Sequence, residues 1–245
     1  MIPSFDLIGP FRFYRGRFGL LDDIDALELD MDEEMWFSLT PKEVSKSHVE
    51  AFAPVTGNGI ILDMFSGLGC DLLQLPNGWF GIGCDIMGDR LKTAQAIHKK
   101  KGQLRTDFVL TDSMTQRSCF RRSAFDVVYL SPPWGHRNIV NRKQTPVYGR
   151  RKLTTLEVDG FRVFIQAMKL AKDMNIAYYL PRGMDVSELR LLAETAGEKD
   201  NLFVDIHESF DPDDETVSEK HRYRVRAITV YFGNLVQPKL AEQHI

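Results

Sequence analysis

Gly59-Ile60-Ile61-Leu62-Asp63-Met64-Phe65-Ser66-Gly67-Leu68-Gly69 decides the fold of this 245-residue chain. An apolar run of strand length ends in an acid and then in two glycines. The residues after Gly69 suit a short helix that stops before Pro76. Glycines at such a junction let backbone N–H groups approach a ligand at a helix N-terminus. Downstream the pattern alternates. Residues 79–85 read as a second strand, 89–101 as a helix ending at Gly102, 107–112 as a third strand and 125–130 as a fourth. Asp159 caps a helix of about 14 residues with Phe161, Phe164, Ile165, Met168 and Leu170 on its apolar side. Residues 175–180 form a fifth strand and 185–196 a helix. Segments 202–210 and 224–232 alternate apolar and polar residues and close the sheet as an antiparallel pair. The expected fold is α/β, a doubly wound, mostly parallel seven-stranded sheet with ligands at the carboxyl ends of its strands.

The glycine pair alone is a weak signal. A dinucleotide site wants a third glycine at position 72, where Leu72 stands. Asp63, just before the glycines, suits a ligand with a cationic end, such as the amino acid part of S-adenosylmethionine, and not a pyrophosphate. Asp85 ends the second strand and can accept hydrogen bonds from a ribose diol. Asp112 ends the third and can accept from an exocyclic adenine amine. Each acid alone also reads as a cap or turn residue. Together they indicate a class I methyltransferase with Asp63, Gly67, Gly69, Asp85 and Asp112 around the cofactor.

The fourth strand runs into Ser131-Pro132-Pro133-Trp134-Gly135. This is similar to the [DNS]PP[YFW] motif of methyltransferases that act on exocyclic amines of nucleobases. Such an amine is a poor nucleophile because its lone pair is delocalised into the ring. Ser131 and the Pro132 carbonyl can accept its two N–H bonds and aim the lone pair. The prolines stiffen the backbone and present no competing donor. Trp134 offers a stacking face worth roughly 1–3 kcal/mol to a base, and more to a cationic one. Positioning carries most of the expected chemistry, so no strong general base is needed.

Composition bounds the rest. Hydrophobic residues make up 43% and charged residues 27%, which fits a globular chain and excludes a disordered or fibrous one. No run of about 18 apolar residues spans a membrane, and the N-terminus lacks a secretory pattern. Thirty-one basic against 34 acidic residues give a net charge of −3, so a nucleic-acid partner is expected to be gripped locally. Cys70, Cys84 and Cys119 have no metal or disulfide spacing and read as reduced thiols. The histidines form no HxxxH or HExxH pair, so metal catalysis is unsupported. Residues 22–34 and 211–219 are acidic. Between residues 137 and 152 lie Arg137, Arg142, Lys143, Arg150, Arg151 and Lys152 with no acid among them. Directly after the Pro-Pro motif, that run is a candidate grip on RNA. The residues before 58 are too aromatic for a disordered tail and read as a helical arm on the core.

The chain resembles the trimethylguanosine synthase family, the RNA cap guanosine-N2 methyltransferases. The similarity rests on WFSLTP (36–41), LDMFSGLGCDLLQL (62–75), YLSPPWG (129–135), DGFRVF (159–164), YYLPRGMD (178–185) and ITVYFGNL (228–235), in matching order. It implies a Rossmann-like class I methyltransferase core at 58–236, an N-terminal arm at 1–57 and a tail at 237–245. The implied reaction is addition of one or two methyl groups from S-adenosylmethionine to the exocyclic N2 amine of a 7-methylguanosine cap. Thr40 would help close the cofactor pocket, Ser131 and Pro132 would hold the amine, Trp134 would stack on the base and Arg182 would meet the cap phosphates. A salt bridge is the structural alternative for Arg182. The chain departs from the family at Glu28, where a lysine is usual, at Gly69-Cys70-Asp71 for GGN, at Pro181-Arg182-Gly183-Met184-Asp185 for PRNAD, and at His136. The basic run up to Lys152 is the candidate replacement for the lost positive charge.

Two other readings stay open from the sequence: a methyltransferase for guanine N2 in ribosomal RNA or adenine N6, and a non-catalytic cap-binding protein. A monomer bound to capped RNA or a cap nucleotide, away from membranes and in the nucleus or cytoplasm, is the expected working form.

Overall fold

The protein is described by a computed structural model over Met35 and residues 38–115, 120–134, 151–197, 201–210 and 223–242. The acidic runs, Trp36, Phe37, Cys119, Gly135, His136 and the basic run up to Arg150 lie outside those residues, as does the arm before Met35.

Seven strands form one sheet in the order β3-β2-β1-β4-β5-β7-β6. They are β1 (Ile60–Asp63), β2 (Phe80–Asp85), β3 (Thr106–Leu110), β4 (Val127–Leu130), β5 (Ile176–Pro181), β6 (Leu202–Phe210) and β7 (Tyr223–Phe232). Strands β1 to β5 pair in parallel, and β7 is antiparallel to both β5 and β6. β4 and β5 are buried along their whole length, as continuous apolar runs in a two-sided sheet should be. The order reverses between β1 and β4, which opens a crevice at their carboxyl ends.

Helix α1 (Lys42–Thr56) lies in the stretch expected to form an arm. It buries Ser45, His48, Val49 and Phe52, one stripe at helical spacing, on the face that carries Ile61, Val127, Tyr129, Tyr179 and Tyr231. Gly57 ends it at φ 67°. The short α2 (Cys70–Leu73) follows the glycines, and α3 (Gly88–Lys100) crosses from β2 to β3. The opposite face carries Leu62, Val128, Leu130, Tyr178 and Val230 under α4 (Gly160–Leu170) and α5 (Val186–Ala196).

Asp159 caps α4 as expected, accepting from the Phe161 and Arg162 N–H groups. The helix is shorter than the periodicity predicts, 11 residues, because Ala171 turns extended and bridges Phe125. Its buried stripe is Gly160, Val163, Phe164 and Ala167, while Phe161, Ile165, Met168 and Leu170 are only partly covered. The small residues bring the helix close: the Tyr178 hydroxyl donates to the Gly160 carbonyl at 2.9 Å, and a Cβ on Gly160 would lie 2.7 Å from that hydroxyl. Residues beyond 236 continue as α6 (Val236–Glu242), whose Lys239 is buried between Ser47 of α1 and Asp205 of β6. No helix among the described residues is long and apolar enough to cross a membrane. Cys70 and Cys84 are buried, unbridged thiols.

Candidate active site

The loop after β1 is built to keep its shape. Gly67 and Gly69 take φ of 51° and 68°, which only glycine adopts cheaply. Asp85 pins the loop to β2: one carboxylate oxygen accepts from the Gly67 N–H at 3.0 Å, the other from the Met87 N–H at 2.8 Å. From below, His98 of α3 meets the Gly69 carbonyl through Nε2 at 3.1 Å and the Thr106 hydroxyl through Nδ1 at 2.9 Å. Burial pushes the His98 pKa down to about 4, so at neutral pH the ring is uncharged, its Nε2–H donating to the carbonyl and its Nδ1 accepting from the hydroxyl. A Cβ on Gly69 would stand 2.9 Å from that ring, whereas one on Gly67 meets nothing within 4 Å. The loop is packed beneath and open above.

Asp63 lies under this opening, 1% exposed, accepting from the Phe65 N–H at 3.1 Å. Burial, then the charge of Asp71, holds its carboxyl well above the ordinary range. A buried acid in that condition is matched by a cationic ligand group. The Ser66 hydroxyl beside it is buried without a hydrogen-bond partner among the described residues. Beyond Asp85, Ile86, Met87 and Leu110 expose apolar surface at the ends of β2 and β3. Asp112 is exposed, and one of its oxygens accepts from the Met114 N–H at 2.8 Å, so it also shapes its own turn. Next to it, the Ser113 hydroxyl donates to the Met64 carbonyl and ties that turn to the end of β1.

The second half of the crevice follows β4. The Ser131 hydroxyl donates to the Phe65 carbonyl at 3.3 Å, which spends its only hydrogen and leaves lone pairs to accept. Pro132 is buried, and among the described residues nothing donates to its carbonyl, while the Pro133 carbonyl accepts from the Glu157 N–H at 3.2 Å. Trp134 is partly covered and packs its ring against Tyr179 of β5, centroids 5.0 Å apart. Thr40, buried just before α1, stands beside the Tyr129 hydroxyl, and Tyr129 is the register partner of Asp63. Arg182 lies just past β5 and donates to the Val225 carbonyl at 3.4 Å.

A crevice with an acid-backed glycine loop on one wall and a Ser-Pro-Pro-Trp strand end on the other has the chemistry to take a cationic donor and a flat acceptor. The model of the RNA cap guanine-N2 methyltransferase family matches residues 58–234. The chain belongs to this family. Family membership makes S-adenosylmethionine the methyl donor, and the buried Asp63, the open glycine loop and the unpartnered Ser66 hydroxyl fit it. Two relatives are trimethylguanosine synthases. The one from Schizosaccharomyces pombe is 27% identical over 73% of each chain. The one from Saccharomyces cerevisiae is 25% identical over 73% of this chain but only 56% of its own length, so the chain spans little more than half of that protein. A solved precorrin-6y C5,15-methyltransferase from Geobacter metallireducens shares the fold, with a TM-score of 0.53 at 10% identity over 86% of this chain and 96% of its own.

Sequence reasoning missed a polar layer under the arm of this family member. His48 of α1 meets the Asp71 carboxylate through Nδ1 at 2.6 Å and the Thr229 hydroxyl through Nε2 at 2.7 Å. His207 meets the same hydroxyl at 2.7 Å. That hydroxyl has one hydrogen, so it can donate to only one of the two rings. Burial, then the neighbouring His48, pushes the His207 pKa to about 4. The layer ties the residue just past the glycine loop to the arm helix and to β6 and β7, and Tyr179 packs its ring against His48, 5.5 Å away. The available signal was a histidine and a serine at buried positions of an amphipathic helix, together with an aspartate where the family has asparagine.

Proposed function

We propose that this chain methylates the exocyclic N2 amine of a 7-methylguanosine cap, once or twice, on a capped RNA or cap nucleotide in the nucleus or cytoplasm. Residues 58–236 form the catalytic core in this reading, residues 1–57 the arm and residues 237–245 a tail. The observation that carries it is the Ser131-Pro132-Pro133-Trp134 strand end, hydrogen-bonded to the β1 loop at Phe65.

S-adenosylmethionine, when bound, supplies an electrophilic methyl group on a sulfonium sulfur. Asp63, Gly67, Gly69, Asp85 and Asp112 hold it, with Thr40 closing the pocket from the arm. The ionised Asp63 balances its cationic amino acid end, the Gly67 cradle admits it, and Asp85 and Asp112 keep acceptor lone pairs for ribose and adenine.

Ser131 and the Pro132 carbonyl take the two N–H bonds of the substrate amine. Both groups can only accept there, because the Ser131 hydrogen is already donated and proline has no N–H. An amine held by two acceptors has its lone pair turned out of conjugation and fixed in direction, and such positioning removes much of the barrier. The proton leaves after transfer, when the nitrogen has become a strong acid. Trp134, braced by Tyr179, stacks on the base. A 7-methylated guanine is cationic and gains from the ring quadrupole, which supports a requirement for prior N7 methylation. Arg182 faces the phosphates.

The test is mass spectrometry of 7-methylguanosine diphosphate incubated with the protein and S-adenosylmethionine, beside unmethylated guanosine diphosphate and a Trp134→Ala variant. The expected result is a gain of one or two methyl groups on the 7-methylated substrate alone, lost in a variant that still binds S-adenosylmethionine. Equal methylation of both nucleotides, or none with cofactor binding intact, overturns the reading.

A further inference from the structure

The polar layer under α1 reaches both halves of the crevice through one ring. His48 is fully buried. Toward the cofactor half, its Nδ1 meets the carboxylate of Asp71 at 2.6 Å. Asp71 is itself buried and lies in α2, directly after the Gly69-Cys70 step of the glycine loop. Toward the acceptor half, the His48 ring packs edge-on against Tyr179, centroids 5.5 Å apart. Tyr179 in turn packs against Trp134 at 5.0 Å. A third neighbour, Tyr129, stands 5.0 Å away and is the register partner of Asp63.

The ring has no slack. Its Nε2 is held by the Thr229 hydroxyl at 2.7 Å, and His207 stands edge-on to it at 5.5 Å. Groups packed this closely pass a displacement to their neighbours instead of absorbing it. Cofactor binding supplies the displacement. A cationic ligand ionises Asp63, and Asp71 is the charged neighbour that acts on Asp63 most strongly. Repulsion is mutual, so the new charge is felt at Asp71, and Asp71 is bonded to His48. Stability does not account for the layer, because a buried pair of this kind is worth little against apolar packing.

We propose that His48 is a positioning residue that joins the two halves of the crevice, so that filling the cofactor loop seats Trp134 for the acceptor base. The series runs Asp63, Asp71, His48, Tyr179, Trp134. Its first link is electrostatic, its second a hydrogen bond, and its last two are ring contacts. The proposal rests on the reading of Trp134 as the platform for the acceptor, and the identity of that acceptor does not enter.

The protein would be labelled with 5-fluorotryptophan, and the Trp134 resonance identified as the one missing from Trp134→Phe. Its fluorine shift would be read without ligand and with saturating S-adenosylhomocysteine, so that a change in cofactor affinity does not enter. Calorimetry would give the affinity for 7-methylguanosine diphosphate in the same two states. Both are measured in the wild type, in His48→Asn, which keeps a donor for Asp71 and removes the ring, and in the joint replacement of His48 and Asp71 by leucine. In the wild type the resonance should move, and S-adenosylhomocysteine should raise the affinity for the nucleotide about fivefold or more. In both variants the movement should fall by more than half and the affinity ratio to about one. A structural role alone would lower the melting temperature and leave both readouts as they are, which overturns the proposal. So does a Trp134 resonance that stays still in the wild type, or nucleotide binding that is indifferent to S-adenosylhomocysteine there. If the wild type does not bind the nucleotide but Trp134 still responds through His48, the cap reading falls and the relay stands. Should His48→Asn melt early, the double leucine variant carries the test.

Discussion

The two faces of the sheet are built on opposite principles. Under α4 and α5 the contact is almost wholly apolar: Leu62, Val128, Leu130, Tyr178 and Phe232 meet Val163, Phe164 and Ala167. Under α1 the same sheet carries Asp63, Tyr129, Tyr179 and Thr229, and the helix answers with His48. An apolar face holds through area alone, at roughly 25 cal/mol per Å² buried, and tolerates any partner of the right shape. A polar face holds only while each group keeps its partner. The polar face is the one next to the glycine loop, so α1 is docked by the side that least tolerates misplacement. Fold and site are thus stabilised from different sides of one sheet.

The sharpest way to break the comparison is to damage each face. Phe164 is fully buried, stacked over Tyr178 and packed on Phe232 at 4.8 Å. Phe164→Ala should cost about 3–5 kcal/mol in urea unfolding and leave cofactor affinity per folded molecule near wild type. On the other face, His48→Ala strands the Asp71 carboxylate in the interior and should cost about 3 kcal/mol or more. Here the second change discriminates. Joint replacement of His48 and Asp71 by leucine should recover most of the loss, because a buried pair is worth little against apolar packing. A double variant no more stable than His48→Ala would show that the pair does not act as a unit. Recovered stability with weakened S-adenosylmethionine binding would show what the polar face is for.

Acidity separates the faces without mutation. His98 and His207 both have pKa values near 4 in the folded protein and about 6.5 when unfolded. The unfolded chain therefore binds more protons between those values. Stability is full above pH 6.5 and falls as pH drops toward 4, with a slope of up to two protons from this pair. Asp63 works against it. Its folded pKa is raised, so above 3.8 the folded state holds a proton that the unfolded state has released, and stability falls as pH rises through that range. Asp63→Asn should therefore steepen the acid loss in a pH series of urea unfolding. In the wild type, S-adenosylmethionine binding should release a proton, which calorimetry in buffers of different ionisation enthalpy would detect. An unchanged acid slope in the variant would count against a neutral Asp63.

The same contrast explains what could be read in advance. Apolar continuity marked β1, β4 and β5 to within a few residues, since Ile60, Val127 and Ile176 begin runs that a two-sided sheet buries, while alternation marked β6 and β7. The strand-end acids and the Pro-Pro turn were visible because their chemistry is local. The end of α4 was not, because Ala171 leaves the helix for a bridge to Phe125, 46 residues earlier in the chain. Nor was the His48–Asp71–Thr229–His207 layer. Its members come from α1, the short helix after the glycine loop and the last two strands, and no periodicity joins them.

The smallest effect tests whether a residue in a family-specific motif serves chemistry or architecture. Asp159 opens DGFRVF, one of the stretches that carry the family likeness. Its side chain accepts from the Phe161 and Arg162 N–H groups at 3.0 and 3.2 Å, and the helix it caps lies on the apolar face. Gly160 behind it is needed because the Tyr178 hydroxyl occupies the space of a Cβ. These contacts assign the Asp-Gly pair to seating α4 against β5. Asp159→Ala should then cost about 1 kcal/mol, as cap losses do, and Asp159→Asn, which keeps the acceptor, only a fraction of that. Neither should alter the KM for cofactor or cap nucleotide. A large fall in kcat with stability intact would move the motif from the architecture of the apolar face to the chemistry of the crevice, and would weaken the division of labour between the two faces.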